Sequence, residues 1–208
     1  MNVLMLNGSS HPRGCTYTAL AEVAGALKEN GVDSEILFLG NAPLRDCIAC
    51  GKCENLPNAC VFDDDVVNQI LRKAEQADGF VFGSPVYYAH PSGRLLSVLD
   101  RVFYAGSAVL AGKPGAAVVS ARRAGTTASL DVINKYFTIA CMPVVSSTYW
   151  NMVHGNSPEE VRQDLEGLQS MRNIGRNMAW LLHSIEAGRA AGVAAPKPEH
   201  SNRTNFIR

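Results

Sequence analysis

Short apolar runs alternate with amphipathic helical segments about five times along this chain, and that alternation limits the possible folds severely. Val3 to Leu6, Asp33 to Leu39, Gly79 to Phe82, Pro114 to Ser120 and Pro143 to Ser147 read as strands. Between them, apolar residues recur at helical spacing. Leu20, Val23, Ala24 and Leu27 do so within 16–30, with Gly31 at a C-cap position. Val66, Val67, Ile70, Leu71 and Ala74 follow Asp63, and further helices are predicted over Gly93 to Tyr104 and through Ile139. A last helix is expected from about Pro158 to Ala187, with Leu165, Leu168, Met171, Ile174, Met178 and Leu182 on one stripe. Continuous apolar strands separated by helices predict a doubly wound α/β fold, a five-stranded parallel sheet with helices on both faces. With 208 residues, one domain over 1–187 is expected, with 47–60 as a cysteine-rich insertion and 188–208 as a C-terminal arm.

Lysines plus arginines equal aspartates plus glutamates at 19 each, which argues against the basic face of a nucleic-acid binder. No run of about 18 apolar residues occurs, so no membrane helix is expected. The opening MNVLMLNGSS lacks the charged leader of a signal peptide, and a cytoplasmic protein is expected. In a reducing compartment six cysteines do not predict a disulfide framework. Four of them fall between 47 and 60, which points to metal or redox chemistry.

Doubly wound sheets bind ligands beyond the carboxyl ends of their strands, at the topological switch point. That rule selects loops 8–18, 84–92 and 120–127. The first runs from a strand straight into a helix. Ser9, Thr16 and Thr18 offer hydroxyls and Arg13 a charge, which suits an anion at a helix N-terminus; the same residues also suit plain helix capping. Neither GxGxxG nor GxxxxGK[ST] is present, so a dinucleotide fingerprint or a P-loop is not supported. In the second loop, Tyr87 and Tyr88 lie between Pro85 and Pro91 and give a stiff turn with flat apolar faces, open either to a planar ring or to half-burial in the core. His90 reads as a surface loop histidine. In the third loop, Arg122 and Arg123 would stabilise negative charge on a bound ring, or are simply solvated. No acid–base pair stands out, and no catalytic side chain is assigned.

Cys47-x-x-Cys50-x-x-Cys53-x6-Cys60 carries the strongest chemical signal. Four thiolates suit a [4Fe–4S] cluster or tetrahedral zinc; packed thiols or a labile disulfide are the alternatives. Cys141 stands alone and reads as a small core residue. Trp180, Leu181 and Leu182 widen the last helix's stripe, for core packing or a subunit interface. Trp150 and His154 are expected to line a substrate side or to pack in a loop.

Gly8-Ser9-Ser10 through Thr18, Gly83-Ser84-Pro85-Val86-Tyr87-Tyr88, and Ser92-Gly93 through Leu99-Asp100-Arg101 resemble the NADPH-dependent FMN reductase group of flavodoxin-like proteins. With the cysteine segment and Asp63-Asp64-Asp65 added, the resemblance is to the iron–sulfur flavoprotein branch, over about residues 1–150. It implies a flavodoxin-like fold with the FMN phosphate on Ser9, Arg13, Cys15, Thr16 and Thr18. The ring would lie against Pro85, Val86, Tyr87 and Tyr88, with its pyrimidine edge toward Ser120, Arg122, Arg123 and Gly125. Cys15 departs from the Asn that relatives commonly carry there; a thiol donates poorly, so the backbone N–H must do more. The resemblance also implies a [4Fe–4S] cluster on Cys47, Cys50, Cys53 and Cys60. The implied activity is FMN-dependent oxidoreduction, with hydride from NAD(P)H passing to a flavin, quinone or similar small acceptor. The alternative it implies is an electron carrier between a ferredoxin-like donor and FMN. A homodimer or homotetramer is expected, with the tail Thr204 to Arg208 reaching across a partner.

Overall fold

Alternation along β1 (Asn2–Asn7) sets the layering. Val3 and Met5 are buried on one face of the sheet and Leu4 and Leu6 on the other. Val3 and Met5 pack with α1 (Cys15–Glu29) and α6 (Leu165–Ala190); Leu4 and Leu6 pack with α2 (Val67–Gln76), α3 (Gly93–Leu110) and α4 (Thr126–Ile139). The computed structural model describes residues 1–207. Its parallel strands run in the order β2 (Asp33–Phe38), β1, β3 (Gly79–Tyr87), β5 (Gly115–Ala121) and β6 (Met152–His154). A short β4 (His90–Pro91) pairs antiparallel with the end of β3. The order reverses between β1 and β3, so the loops after these strands flank the switch point.

The flavodoxin-like architecture matches expectation; several boundaries do not. Pro143 to Ser147 forms no full strand. Gly115 donates to Pro143 and Val145 donates back to Gly115, giving one bridge at Val144. The chain then turns through Ser147 and Tyr149 and returns at Met152 beside the far end of β5. Pro143 cannot donate to a ladder, and a split edge strand is the outcome. The last helix is also broken. A short α5 (Pro158–Val161) precedes α6, which restarts where the Asp164 carboxylate accepts from the Gly167 N–H as an N-cap. Helix α3 runs past Tyr104 to Leu110 through non-helical Gly106, and α2 begins at Val67, after the Asp63–Asp65 run. Cys141 is exposed, not a core residue; it adopts φ +55° just beyond α4, a turn that faces it outward.

The stripe on α6 is core. Leu168, Met171, Ile174, Met178 and Leu182 are buried, whereas Leu165 and Trp180 are exposed. Beyond Ala190, residues 191–207 carry no regular secondary structure and are exposed; Arg208, the end of the expected arm, lies outside the described residues. No helix is long and apolar enough to cross a membrane among the described residues.

Helices α1 and α6 approach closely because Gly175 has no side chain. A Cβ there would lie 2.6 Å from Ala26 Cβ and 2.7 Å from the Val23 carbonyl. Gly175→Ala is therefore expected to destabilise the fold by about 1–3 kcal/mol through overpacking, lowering Tm by roughly 2–4 °C per kcal/mol. Thermal unfolding checks this, and an unchanged Tm would contradict the close approach.

Candidate functional site

Three loops meet at the carboxyl end of the sheet, tied to one another by the protein's own bonds. Buried Asn7 shapes the first: its Oδ1 accepts from the Ser9 N–H (3.1 Å) and its Nδ2 donates to the Pro12 carbonyl (3.3 Å). The Ser9 hydroxyl then accepts from the His11 N–H at 3.0 Å. Helix α1 follows with Gly14 at its N-cap, no side-chain cap and no acidic residue in its first turn. The first amides of a helix have no intrahelical acceptor, so those of Cys15, Thr16 and Tyr17 point at whatever lies before the helix.

The second loop is a hairpin. β3 continues through Pro85, Val86 and Tyr87, turns at Tyr88 and Ala89 with φ of +51° and +59°, and returns as β4. Two non-glycine residues in the left-handed region cost about 1–3 kcal/mol each, so neighbours must hold the turn. Gly125, at φ +89°, is one of them: a Cβ there would come within 2.5 Å of Ala89 Cα. The Tyr87 and Ser10 hydroxyls lie 3.4 Å apart, and the buried hydroxyls of Thr16 and Ser120 are 2.9 Å apart. Ser92 completes the set: its hydroxyl donates to the Gly8 carbonyl and its N–H donates to the Ser84 hydroxyl, both at 2.8 Å.

These bonds refine the roles expected of individual residues. Ser9 borders the helix mouth. Thr16 and Thr18 spend their hydroxyls within the protein, on Ser120 and on the Gly14 carbonyl. The Cys15 thiol donates to the Gly155 carbonyl at 3.6 Å and burial pushes it up, leaving the backbone amide as this residue's contribution. Arg13 turns along α1, where its guanidinium donates to the Tyr17 hydroxyl at 2.7 Å and lies over that ring. With Arg162 and Glu22 it lines a neighbouring groove of about 340 Å³. Pro85 and Val86 are half-buried, Tyr87 is partly exposed and Tyr88 fully so. Arg122 and Arg123 are exposed beside the hairpin. His90 lies on β4, and its ring hydrogen-bonds the Pro91 carbonyl at 3.2 Å. Trp150 packs edge-on to Tyr149, and the His154 N–H donates to Asp164 at 2.7 Å, so both serve the loops around β6.

Cys47, Cys50, Cys53 and Cys60 line one cavity of about 190 Å³, walled also by Ile48, Val61, Phe62, Arg101 and Tyr104. All four are free thiols. Burial pushes the Cys53 thiol up, and the neighbouring thiols of Cys50, Cys60 and Cys47 push the same way. The four sulfurs surround the space without closing on a point. Among the described residues, no three His, Cys, Asp or Glu side chains stand close enough to hold a single metal ion.

One face of α3 clamps this segment. Arg94 donates to the Ala42 carbonyl at 2.9 Å, Ser97 donates to Asp46, and Arg101 reaches four groups; the Cys53 thiol donates to the Tyr104 carbonyl at 3.8 Å. Positions 94, 97, 101 and 104 fall on one helical stripe, while Leu95, Val98, Leu99 and Val102 face the core. From α2, Asn68 accepts from the Cys60 N–H at 2.8 Å and donates to the Cys60 carbonyl at 2.9 Å. Neither Asn68 nor the Arg101–Asp65 pair was assigned a role from sequence. A polar stripe repeating at three and four residues on an otherwise apolar helix was the available signal.

The family model for NADPH-dependent FMN reductases matches residues 1–157. An iron–sulfur flavoprotein of Methanocaldococcus jannaschii is 31% identical over 194 residues, 89% of this chain and 100% of the relative. An iron–sulfur flavoprotein of Methanosarcina thermophila is 30% identical over 176 residues, 82% of this chain and 88% of the relative. Among solved structures, an NAD(P)H:quinone oxidoreductase from Methanothermobacter marburgensis matches with TM-score 0.64 at 16% identity, over 86% of this chain and 96% of that one. A flavodoxin from the domain Archaea matches with TM-score 0.58 at 14% identity, over 88% and 99%. These likenesses establish the flavodoxin-like fold. By the extent of the family match and the identity to its relatives, this chain belongs to the NADPH-dependent FMN reductase family of flavodoxin-like flavoproteins.

Proposed function

We propose that this chain is an electron-transfer flavoprotein that binds FMN at the sheet mouth and a [4Fe–4S] cluster on Cys47, Cys50, Cys53 and Cys60. The observation that carries this reading is the sharing of one rigid helix. Ser92, at the start of α3, organises the mouth, and Arg101 and Tyr104, farther along, wall the cysteine cavity. When bound, FMN supplies storage of two electrons with release one at a time, and an iron–sulfur cluster supplies single-electron transfer.

The residues fit both groups. At the mouth, the amides of Cys15, Thr16 and Tyr17 and the Ser9 hydroxyl suit a phosphate. The Pro85–Tyr87 strand end and the 122–125 loop offer a flat wall and two cations. Four free thiols around one partly apolar cavity suit a centre in which each thiolate takes its own iron. They suit zinc less, since four sulfurs at about 2.3 Å from one ion sit roughly 3.8 Å apart.

Reduction of the same flavin by NADH or NADPH is the second reading, favoured by the family to which the chain belongs. Anaerobic purification decides between them. About four irons and four acid-labile sulfides per chain are expected, together with flavin absorbance; iron-free protein would overturn the cluster reading. Bleaching of the flavin bands by anaerobic NADPH in that sample would support the second reading, and no bleaching by either nucleotide would exclude it.

Gly125→Ala is expected to push the Tyr88–Ala89 turn away from the mouth. FMN affinity should fall about tenfold, or ~1.4 kcal/mol, when followed by quenching of flavin fluorescence. Unchanged affinity would place the flavin away from this hairpin.

A further inference from the structure

Arg101 is the only charged residue among those fully buried in the described chain, with 2% of its surface exposed. Its guanidinium pairs with Asp65, itself nearly buried, and donates to the carbonyls of Phe62 at 3.2 Å and Arg45 at 3.4 Å. These three contacts dock the cysteine segment onto the core. The fourth contact reaches the segment itself, at one of its thiols: Nε–H donates to Cys60 Sγ at 3.4 Å, inside the cavity that all four cysteines line. A neutral thiol is a weak acceptor, whereas a hydrogen bond from a cation to an ionised sulfur is charge-assisted and strong. An arginine keeps its charge in any protein interior. With Cys60 ligating a centre as proposed above, its sulfur would be a thiolate and this contact would be charge-assisted.

Resting on the cluster reading above, we propose that Arg101 is a positioning residue that raises the reduction potential of the centre held by Cys60. Reduction adds one electron from an external donor and breaks no bond, so the centre becomes more negative by one charge. A fixed cation touching a ligand sulfur stabilises that reduced state more than the oxidised one, and hydrogen bonds to cluster sulfurs are among the determinants of potential. Asp65 offsets part of the charge, but the cationic group in contact with sulfur is Nε–H of Arg101.

Anaerobic redox titration with dithionite, read by electron paramagnetic resonance, tests this on the wild-type chain, Arg101→Lys, and the double variant Arg101→Gln/Asp65→Asn. The double variant removes both charges together, so neither is left buried alone. Its reduced-to-oxidised ratio at fixed potential should fall about tenfold, a midpoint 59 mV lower for one electron. Arg101→Lys keeps a cation but lacks the planar fork, and should shift the ratio about threefold the same way. A residue that only docks the segment would change iron content or Tm and leave the midpoint in place. Unchanged midpoints in iron-replete variants would overturn the role of Arg101 alone. If the double variant does not fold, an unchanged midpoint in Arg101→Lys overturns it. Wild-type protein without iron would overturn the cluster reading and this role together.

Discussion

Helix α3 works on three sides because its sequence carries two periodicities and a cap. Leu95, Val98, Leu99 and Val102 sit in the core, so the helix cannot shift without disturbing the sheet. Ser92 at its start bonds both Gly8, just past the end of β1, and Ser84, within the last part of β3. Arg94, Ser97, Arg101 and Tyr104 face the cysteine segment. That segment has little regular structure of its own, a short 3₁₀ turn at Lys52–Asn55. Its shape therefore depends on what α3 and Asn68 offer it. The Arg101–Asp65 pair is the buried ion pair among these ties, and removing one partner would strand the other charge at a cost of about 3–5 kcal/mol.

The mouth of the sheet is organised in a similar way. Thr16 to Ser120, Tyr87 to Ser10, and Ala89 against Gly125 each join two different loops. Of the hydroxyls read from sequence as ligands, Thr16 and Ser120 tie two loops together, whereas Thr18 and Ser9 bond within their own segment, and the groups at the start of α1 without an intrahelical partner are main-chain amides. Loops fixed before a ligand arrives lose less freedom on binding it, which matters most for the strained Tyr88–Ala89 turn. Arg13, lying on Tyr17, shows that a cation next to a helix N-terminus in sequence need not face it.

What sequence made legible followed from local rules. Strand alternation in β1 and the helical spacing in α1 and α2 obey short-range periodicity, and with the junction at Gly8 they located the mouth; the junction read at Ser84 comes too early, because β3 continues through Pro85 to Tyr87 beside β5. The edge of the sheet did not yield in this way: apolar Pro143–Ser147 looks like a strand but holds a single bridge, while β6 is three residues long and depends on β5 for its pairing. The spacing of the four cysteines was plain, but their support was not. Arg101 meets Asp65 36 residues away and Cys60 41 residues away, and no periodic pattern encodes such contacts.

The central proposal is that FMN and a cluster, bound as proposed above, would exchange electrons within one molecular assembly, because α3 borders both the sheet mouth and the cysteine cavity. A flash-photolysis experiment with a one-electron photoreductant tests it most directly, following cluster and flavin absorbance together. The account predicts that the cluster signal reoxidises as the flavin bands bleach, at a rate independent of protein concentration. A flavin reduction rate proportional to protein concentration, or a cluster that stays reduced beside an oxidised flavin, would contradict it.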